Sequence, residues 1–478
     1  MPNMSEDTSN IIPVILAGAA GTRLWPISRP DLPKQFQPVI GRKTLFQQTV
    51  IRLSEAGLGQ KPIIMTNQEH IHLVTAQLAQ INILDADIIA EPSSQDTAPA
   101  ILIAALTAFR RNPNSQILTF PSDHRINNID VLKDTIENKN LDRKSFIAFG
   151  IKAEKPSSSY GYIKYTNTSG AFLLEIISFT EKPGHDTAKS FIKQGNYLWN
   201  SGMYFFPTAL FIDRMQILEP EMVHHCMGAI FRGKHKKKIF TLDLKTYRQA
   251  RKISIDHALM EKIDDAKVVK ISLDWNDIGS WSSVWECSDQ DEKGNVKLGN
   301  VVCSNSHGSY IRSDGKLTAV IGLDDVIVIT MDDAVLVARK SEAQNLKQLM
   351  RKLKKRHCKE IVAHSSVVRP WGNYKIIQGG DQFQVKRILV NPGQTLSLQY
   401  HHFRAEHWTI VSGKADVTVD GTLRLMKAND SVYIPIEATH RIANPYDKPV
   451  EFIEVQCGSY LGEDDIIRLE DVYGRVAE

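Results

Sequence analysis

The spacing of apolar residues changes along this 478-residue chain, and that change constrains its fold more than any other feature. Up to about residue 290, short apolar runs such as IIPVILAG and PIIMTN alternate with longer amphipathic stretches such as TLFQQTVIRL. This is the rhythm of βαβ units on a largely parallel sheet. From Gly294 to about Val337 the pattern breaks into short β-prone pieces punctuated by Gly, Asn and Asp, which predicts a small β-rich connector. In the following SEAQNLKQLMRKLKKRHCKEIV, Leu346, Leu349, Met350 and Leu353 recur at helical spacing, and the end is strongly basic. We read it as a solvated linker helix, with an anion site as the alternative. After Arg369-Pro370-Trp371-Gly372 the period becomes two (QVKRILV, TLSLQY, ADVTVD, SVYIPI), which predicts an antiparallel β-sandwich or barrel. The expected domains are 1–290, 291–365 and 366–478.

A chain this long exceeds one hydrophobic core. Its 58 basic and 54 acidic residues leave a net charge of +4, far from the concentrated basicity of a nucleic-acid binder but compatible with small anionic ligands. Five scattered cysteines without a CxxC pair fit reduced thiols better than a disulfide framework. The polar, acidic start MPNMSEDTSN differs from the basic-then-apolar pattern of a signal peptide, and no run reaches the roughly 18 apolar residues of a membrane span. The expectation is a cytoplasmic protein with no membrane or nucleic-acid partner; a homodimer is left open.

A buried strand, Ile12 to Leu16, runs into a small-residue turn, Gly18-Ala19-Ala20-Gly21-Thr22, where backbone amides can approach a phosphate. Neither a Walker loop nor a dinucleotide fingerprint is present, so a plain tight turn stays possible until Arg23 and Lys34 are added, two cations suited to a triphosphate. Asp123 follows a predicted strand, at the sheet edge where open α/β folds gather ligands, and Asp277 sits in a rigid Trp/Gly frame; together they could hold one Mg²⁺. For Asp123 the plainer reading is a helix cap.

LAGAAGTRLWPISRPDLPKQF resembles the LxGGxGTRLWPxSRxxxPKQF signature of bacterial mannose-1-phosphate guanylyltransferases, the type fused to a phosphomannose isomerase, with Ala19 at a glycine position. Further segments match in order. Glu91-Pro92 with Thr97-Ala98-Pro99-Ala100 resembles EPxxRNTAPA, with Gln95 and Asp96 at the Arg-Asn positions, and Ser158-Ser159-Tyr160-Gly161-Tyr162 resembles TGYGY. Asp123 and Asp277 fall in PxDH-like and W-S/N-D-x-G-S-W-like segments, while Phe179-to-Pro183 and Trp199-to-Met203 resemble FxEKP and WNSGM. The resemblance implies a Rossmann-like nucleotidyltransferase domain that joins GTP and mannose-1-phosphate into GDP-mannose, with Mg²⁺ on Asp123 and Asp277. It places the nucleotide on residues 18–22, Glu91, Asp96 and Thr97, and the sugar-phosphate on Tyr160, Gly161, Glu181 and Asn200. Arg23, Lys34 and Lys182 are implied as the catalytic cations on the two anions.

Gln399, His401, Glu406 and Gly413, counted from Gly393, resemble the first cupin motif with Gln in place of its first histidine, and His440 stands at the histidine of the second. In strands, 399 and 401 project to one face. A cupin-like barrel holding a divalent ion (Zn, Co, Mn or Mg) on Gln399, His401, Glu406 and His440 is implied; polar residues lining a metal-free barrel are the alternative. Gln399 to Trp408 and Gly458 to Ile466 also resemble the isomerase half of the fused family. This implies interconversion of mannose-6-phosphate and fructose-6-phosphate, with Arg404 catalytic and Glu406 or His407 as base. Loss of one activity, or a regulatory protein that binds sugar phosphates without turnover, remains open.

Overall fold

The computed structural model describes residues 10–473 except 19, 20, 169 and 237. Ala19 and Ala20 therefore lie outside the described residues, as does the side chain of Thr22. The chain forms two compact units, 1–361 and 362–478.

In the first unit an eleven-stranded sheet has at its centre Asp87–Glu91, Ile63–Asn67, Ile11–Ala17 and Gln116–Pro121, paired in that order and all parallel. These strands read as continuous apolar runs because both faces are covered, and two hydrophobic clusters flank the sheet. Thr97–Arg111 is nearly all apolar and sinks into one cluster. Leu45–Ala56 packs on the other, opened by a Thr44/Gln47 capping box and closed by Gly57 in the left-handed region. The four parallel strands end on a common edge, which sets Gly18, Asn67, Glu91 and Asp123 beside one another. Beyond Gln116–Pro121 the long strand Tyr197–Pro207 runs antiparallel to its neighbours and carries the WNSGM segment into the sheet centre.

The connector strands Val296–Ser304, Tyr310–Ile321 and Val326–Thr330 pair in parallel, and Val335–Arg339 closes antiparallel. Stacked parallel coils of this kind give a β-helix-like body. Its core is shared: Leu24, Trp25, Ile27, Ile278 and Trp281 pack with Val296, Tyr310, Ile327, Ile329 and Leu336. The linker helix, Leu346–Lys355, adds Leu346, Met350 and Leu353 to this core and turns its basic residues to solvent.

The second unit is a cupin-like barrel of two antiparallel sheets around one core, with Tyr374, Ile388, Trp408 and Phe452 from one sheet against Val417, Met426 and Ile442 from the other. Gly372 opens the strand Gly372–Gly379 at φ +149°, and a Cβ there would lie 2.0 Å from the Leu389 carbonyl oxygen. Backbone and backbone conflict there, so no rotamer change relieves it. Gly372→Ala is expected to destabilise the barrel by about 2–3 kcal/mol, read as a lowered thermal transition of that unit.

Candidate active sites

The common sheet edge opens into a cleft of about 520 Å³. Gly18, Arg23, Glu91, Asp96 and Thr97 line one side. Tyr160, Gly161, Glu181, Lys182 and Asn200 line the other, with Asp123 and Asp277 also facing the cleft. Most of the residues expected for one nucleotidyltransferase site are thus brought together from segments across 260 positions of chain.

Among the described residues Gly21 is absent from the lining, and so is Lys34. The Lys34 ammonium lies under the acidic pair rather than in the cleft lining, donating to the Asp277 carbonyl at 2.8 Å and the Ile278 carbonyl at 3.2 Å, 3.0 Å from Asp123 Oδ2. Gly21, at φ +56°, packs against this side chain; a Cβ there would fall 2.8 Å from Lys34 Cγ. Burial opposes the charge on Asp123, but Lys34 and His124 outweigh it and hold the carboxyl below its usual range. Asp277 Oδ1 accepts from the Gly279 amide at 3.0 Å and the Tyr160 hydroxyl at 3.3 Å. Trp275 Nε1 donates to His124 Nδ1 at 3.2 Å, fixing the wall between the aspartates. Two carboxylates facing one cleft are hard oxygen donors, the set Mg²⁺ takes.

On the nucleotide side, Glu91 is buried, with Oε2 3.3 Å from where a Cβ on Gly18 would stand. Asp96, at φ +70°, caps the helix Thr97–Arg111 through the Thr97 amide at 2.8 Å. Gln95 turns inward, donating to the carbonyls of Tyr247, Arg248 and Ala250 at 3.3, 2.9 and 3.0 Å, so this departure from the family pattern is used in structure rather than in the cleft.

On the sugar side, a Cβ on Gly161 would lie 2.4 Å from Glu181 Oε2, so only glycine admits that carboxylate. Glu181 pairs with the exposed ammonium of Lys182. Asn200 Nδ2 donates to the Tyr204 hydroxyl at 2.8 Å and to Asp256 Oδ1 at 3.0 Å, and Tyr204 also donates to Asp256. Tyr204, Lys252, Asp256 and Trp275 are cleft residues that the sequence reading missed. Asp256 begins a single π-helical turn, Asp256–Met260, which leaves no periodic signal.

In the barrel, His401, Glu406 and His440 are all buried and bring ligand atoms within 4.8 Å of one another. His401 Nε2 lies 3.0 Å from Glu406 Oε1 and His440 Nε2 3.6 Å from Glu406 Oε2, neither with the alignment of a good hydrogen bond. Buried lone-pair donors converging on one point fit a divalent ion. His440 Nδ1 bonds the Ala438 carbonyl at 2.9 Å, which leaves Nε2 turned to the cluster. Gln399 lines the adjoining cavity with Glu406 and accepts from Ser397 Oγ at 2.7 Å. Arg404 also lines that cavity, its guanidinium 3.5 Å from Glu406 and donating to the Gly462 carbonyl at 2.8 Å.

His407 does not belong to the site: strand alternation sends it outward, exposed, against the Tyr433 ring at 4.7 Å. Burial works against ionising Glu406, but His401, His440 and Arg404 hold it well below the usual carboxylate range, as suits a ligand. Sequence reasoning missed Glu454. Trp408 Nε1 donates at 3.0 Å to both Glu406 and Glu454, and Gln456 Nε2 bridges the same two carboxyls at 3.0 and 2.9 Å. Burial first, then the Glu406 charge, push Glu454 up to about 8.

Burial likewise pushes Glu91 up to about 7, against the Tyr247 hydroxyl, which donates to it at 2.5 Å. Between the ordinary carboxylate value near 4.3 and about 7, folded Glu91 keeps a proton that the unfolded chain has lost, so rising pH destabilises the fold across that window. Glu91→Gln is expected to match the parent near pH 4 and to be more stable by about 2–3 kcal/mol at pH 8, read by thermal unfolding across pH.

Comparison with known proteins places the chain in a family. Residues 12–294 match a family model described as Nucleotidyl transferase, 299–353 match MannoseP isomerase/GMP-like beta-helix domain, and 356–471 match Mannose-6-phosphate isomerase C-terminal. The alginate biosynthesis protein AlgA of Pseudomonas syringae pv. tomato is 43% identical, with 97% of each chain covered. The xanthan biosynthesis protein XanB of Xanthomonas campestris pv. campestris is 42% identical over 98% of this chain and 100% of its own. Mannose-1-phosphate guanylyltransferase of Escherichia coli K12 is 38% identical over 98% of this chain and 99% of its own. A crystal structure titled mannose-1-phosphate geranyltransferase, from Thermus thermophilus, superposes with a TM-score of 0.63 at 26% identity, covering 72% of this chain and 99% of that one. By these full-length matches the chain belongs to the family of mannose-1-phosphate guanylyltransferases that carry a C-terminal mannose-6-phosphate isomerase domain.

Proposed function

We propose that the N-terminal unit transfers GMP from GTP to mannose-1-phosphate, giving GDP-mannose and pyrophosphate, and that the barrel interconverts mannose-6-phosphate and fructose-6-phosphate. The observation that carries the first activity is the single cleft in which the nucleotide-side, sugar-side and acidic residues meet. The buried histidine and carboxylate cluster carries the second.

In the transfer, a phosphate oxygen of mannose-1-phosphate attacks the α-phosphorus of GTP in line, and the bond to the β-phosphate oxygen breaks. No protein nucleophile is needed, since positioning and charge compensation supply the catalysis. Gly18 and the helix N-terminus behind Asp96 receive the nucleotide, and Arg23 faces its phosphates from the cleft wall. Glu181 and Asn200 hold sugar hydroxyls, and Lys182 at the rim meets the sugar phosphate. Mg²⁺ on Asp123 and Asp277 would neutralise the nucleotide phosphates. Lys34 keeps that acidic pair in place from below.

In the barrel, a divalent ion on His401, Glu406 and His440, with Gln399 beside them, would polarise the sugar C1 and C2 oxygens. Arg404 faces the same cavity and compensates the charge that grows on those oxygens when the proton moves. The chain would act in the cytoplasm on small sugar phosphates; no helix among the described residues is long and apolar enough to cross a membrane.

Purified protein with Mg²⁺ is expected to release pyrophosphate with GTP and mannose-1-phosphate, and not when ATP, UTP or glucose-1-phosphate is substituted. Asp277→Asn should cut that rate at least about 100-fold and spare the isomerase. His440→Ala should do the reverse, as should removal of a tightly held ion by chelation followed by return of Mg²⁺ alone, unless Mg²⁺ is itself the isomerase ion. Pyrophosphate silence in every combination, from folded protein, would overturn the transferase reading.

A further inference from the structure

The signature that carries Arg23 and Lys34 also holds Trp25 and Arg29, to which nucleotide chemistry gives no task. Neither lines the cleft. Arg29 is wholly buried, and its two terminal nitrogens donate to the two carboxylate oxygens of Asp333 at 2.7 and 2.6 Å, while Nε donates to the Pro26 carbonyl at 3.0 Å. Asp333 stands in the turn between the connector strands Val326–Thr330 and Val335–Arg339. Trp25 Nε1 donates at 2.9 Å to the carbonyl of Glu360, beyond the linker helix. The Trp25 carbonyl accepts at 3.0 Å from the indole of Trp281, four positions after Asp277. Arg312, on a connector strand, donates to the Pro38 carbonyl at 3.0 Å. Both loops of the cleft, the one with Arg23 and Lys34 and the one with Asp277, are therefore mounted on the connector.

A fork-to-fork guanidinium–carboxylate pair fixes orientation as well as distance, and a wholly buried arginine has no water to replace a lost partner. The geometry points to a working role for the connector: Asp333 is a positioning residue of the nucleotide site, holding the segment from Arg23 to Lys34 in place through Arg29. This rests on the guanylyltransferase reading above. Arg23 needs a fixed direction to meet a triphosphate, and misplacement of a binding group by about 1 Å can cost a large factor in rate.

The test uses the full chain, whose isomerase activity serves as an internal measure of folding. Asp333→Asn weakens the fork and Asp333→Glu displaces it while keeping the charge, so these two loop variants probe the same contact and one remains readable if the other folds poorly. Asp325→Asn is the control: it breaks a different connector ion pair, to Lys340 at 2.8 Å, that does not touch residues 23–34. In both loop variants KM for GTP is expected to rise about tenfold, with a smaller change in kcat, while KM for mannose-1-phosphate and the isomerase rate stay near the parent values. Calorimetric GTP binding should weaken in parallel. KM and affinity for GTP within about twofold of the parent in folded loop variants would overturn the assignment, as would an equal loss in Asp325→Asn, which would make connector stability the cause. A parent chain that neither binds GTP nor releases pyrophosphate would instead overturn the transferase reading itself.

Discussion

Asp123 and Asp277 are brought to one cleft from segments 154 positions apart, and like charges resist such an approach. The buried ammonium of Lys34 is what makes the arrangement tolerable. It neutralises Asp123 directly and holds the backbone of the Asp277 loop by two carbonyls, so the loop's place is set even where its carboxylate does not touch the lysine. The Gly21 turn packs on the same side chain, and the nucleotide loop is thereby referred to the same cation. One internal charge thus registers three segments of the cleft against one another.

The barrel solves a related problem with different parts. Glu406 and Glu454 are both buried beside one cavity, and the two are distinguished by their surroundings: histidines and Arg404 favour the charge on the first, while burial and that very charge suppress it on the second. Trp408 and Gln456 donate to both, which fixes their separation. Two identical side chains are pushed in opposite directions by their neighbours alone.

The βαβ rhythm, the β-rich connector and the period-two tail all reappear as elements, because those patterns follow directly from which faces are buried. The antiparallel strand Tyr197–Pro207 did not announce itself, since a strand buried on both faces looks alike in either direction. Arg23, Glu181 and Asn200 could be located from motifs, but motif membership does not say which way a side chain points. Lys34 and Arg29 share a signature with Arg23 and turn inward to acidic partners supplied by residues 123 and 333. His407 could have been set aside from sequence, because strand alternation puts it opposite Glu406. Asp256 could not, as its π turn has no sequence period and its partner Tyr204 lies 52 positions away.

Of the fifteen buried members of the connector's core among the described residues, eight precede the connector, including Leu24, Trp25, Ile27, Ile278 and Trp281. The stretch that matches a nucleotidyl transferase ends at residue 294, before the strands that cover those side chains. Homology and autonomy therefore part company in this chain. A polypeptide emerging during synthesis would already hold every group of the cleft once residue 281 is made, yet it would carry a bare patch of tryptophan, leucine and isoleucine until the coils of the connector followed. That patch is covered by strands that follow, from Val296 to Arg339.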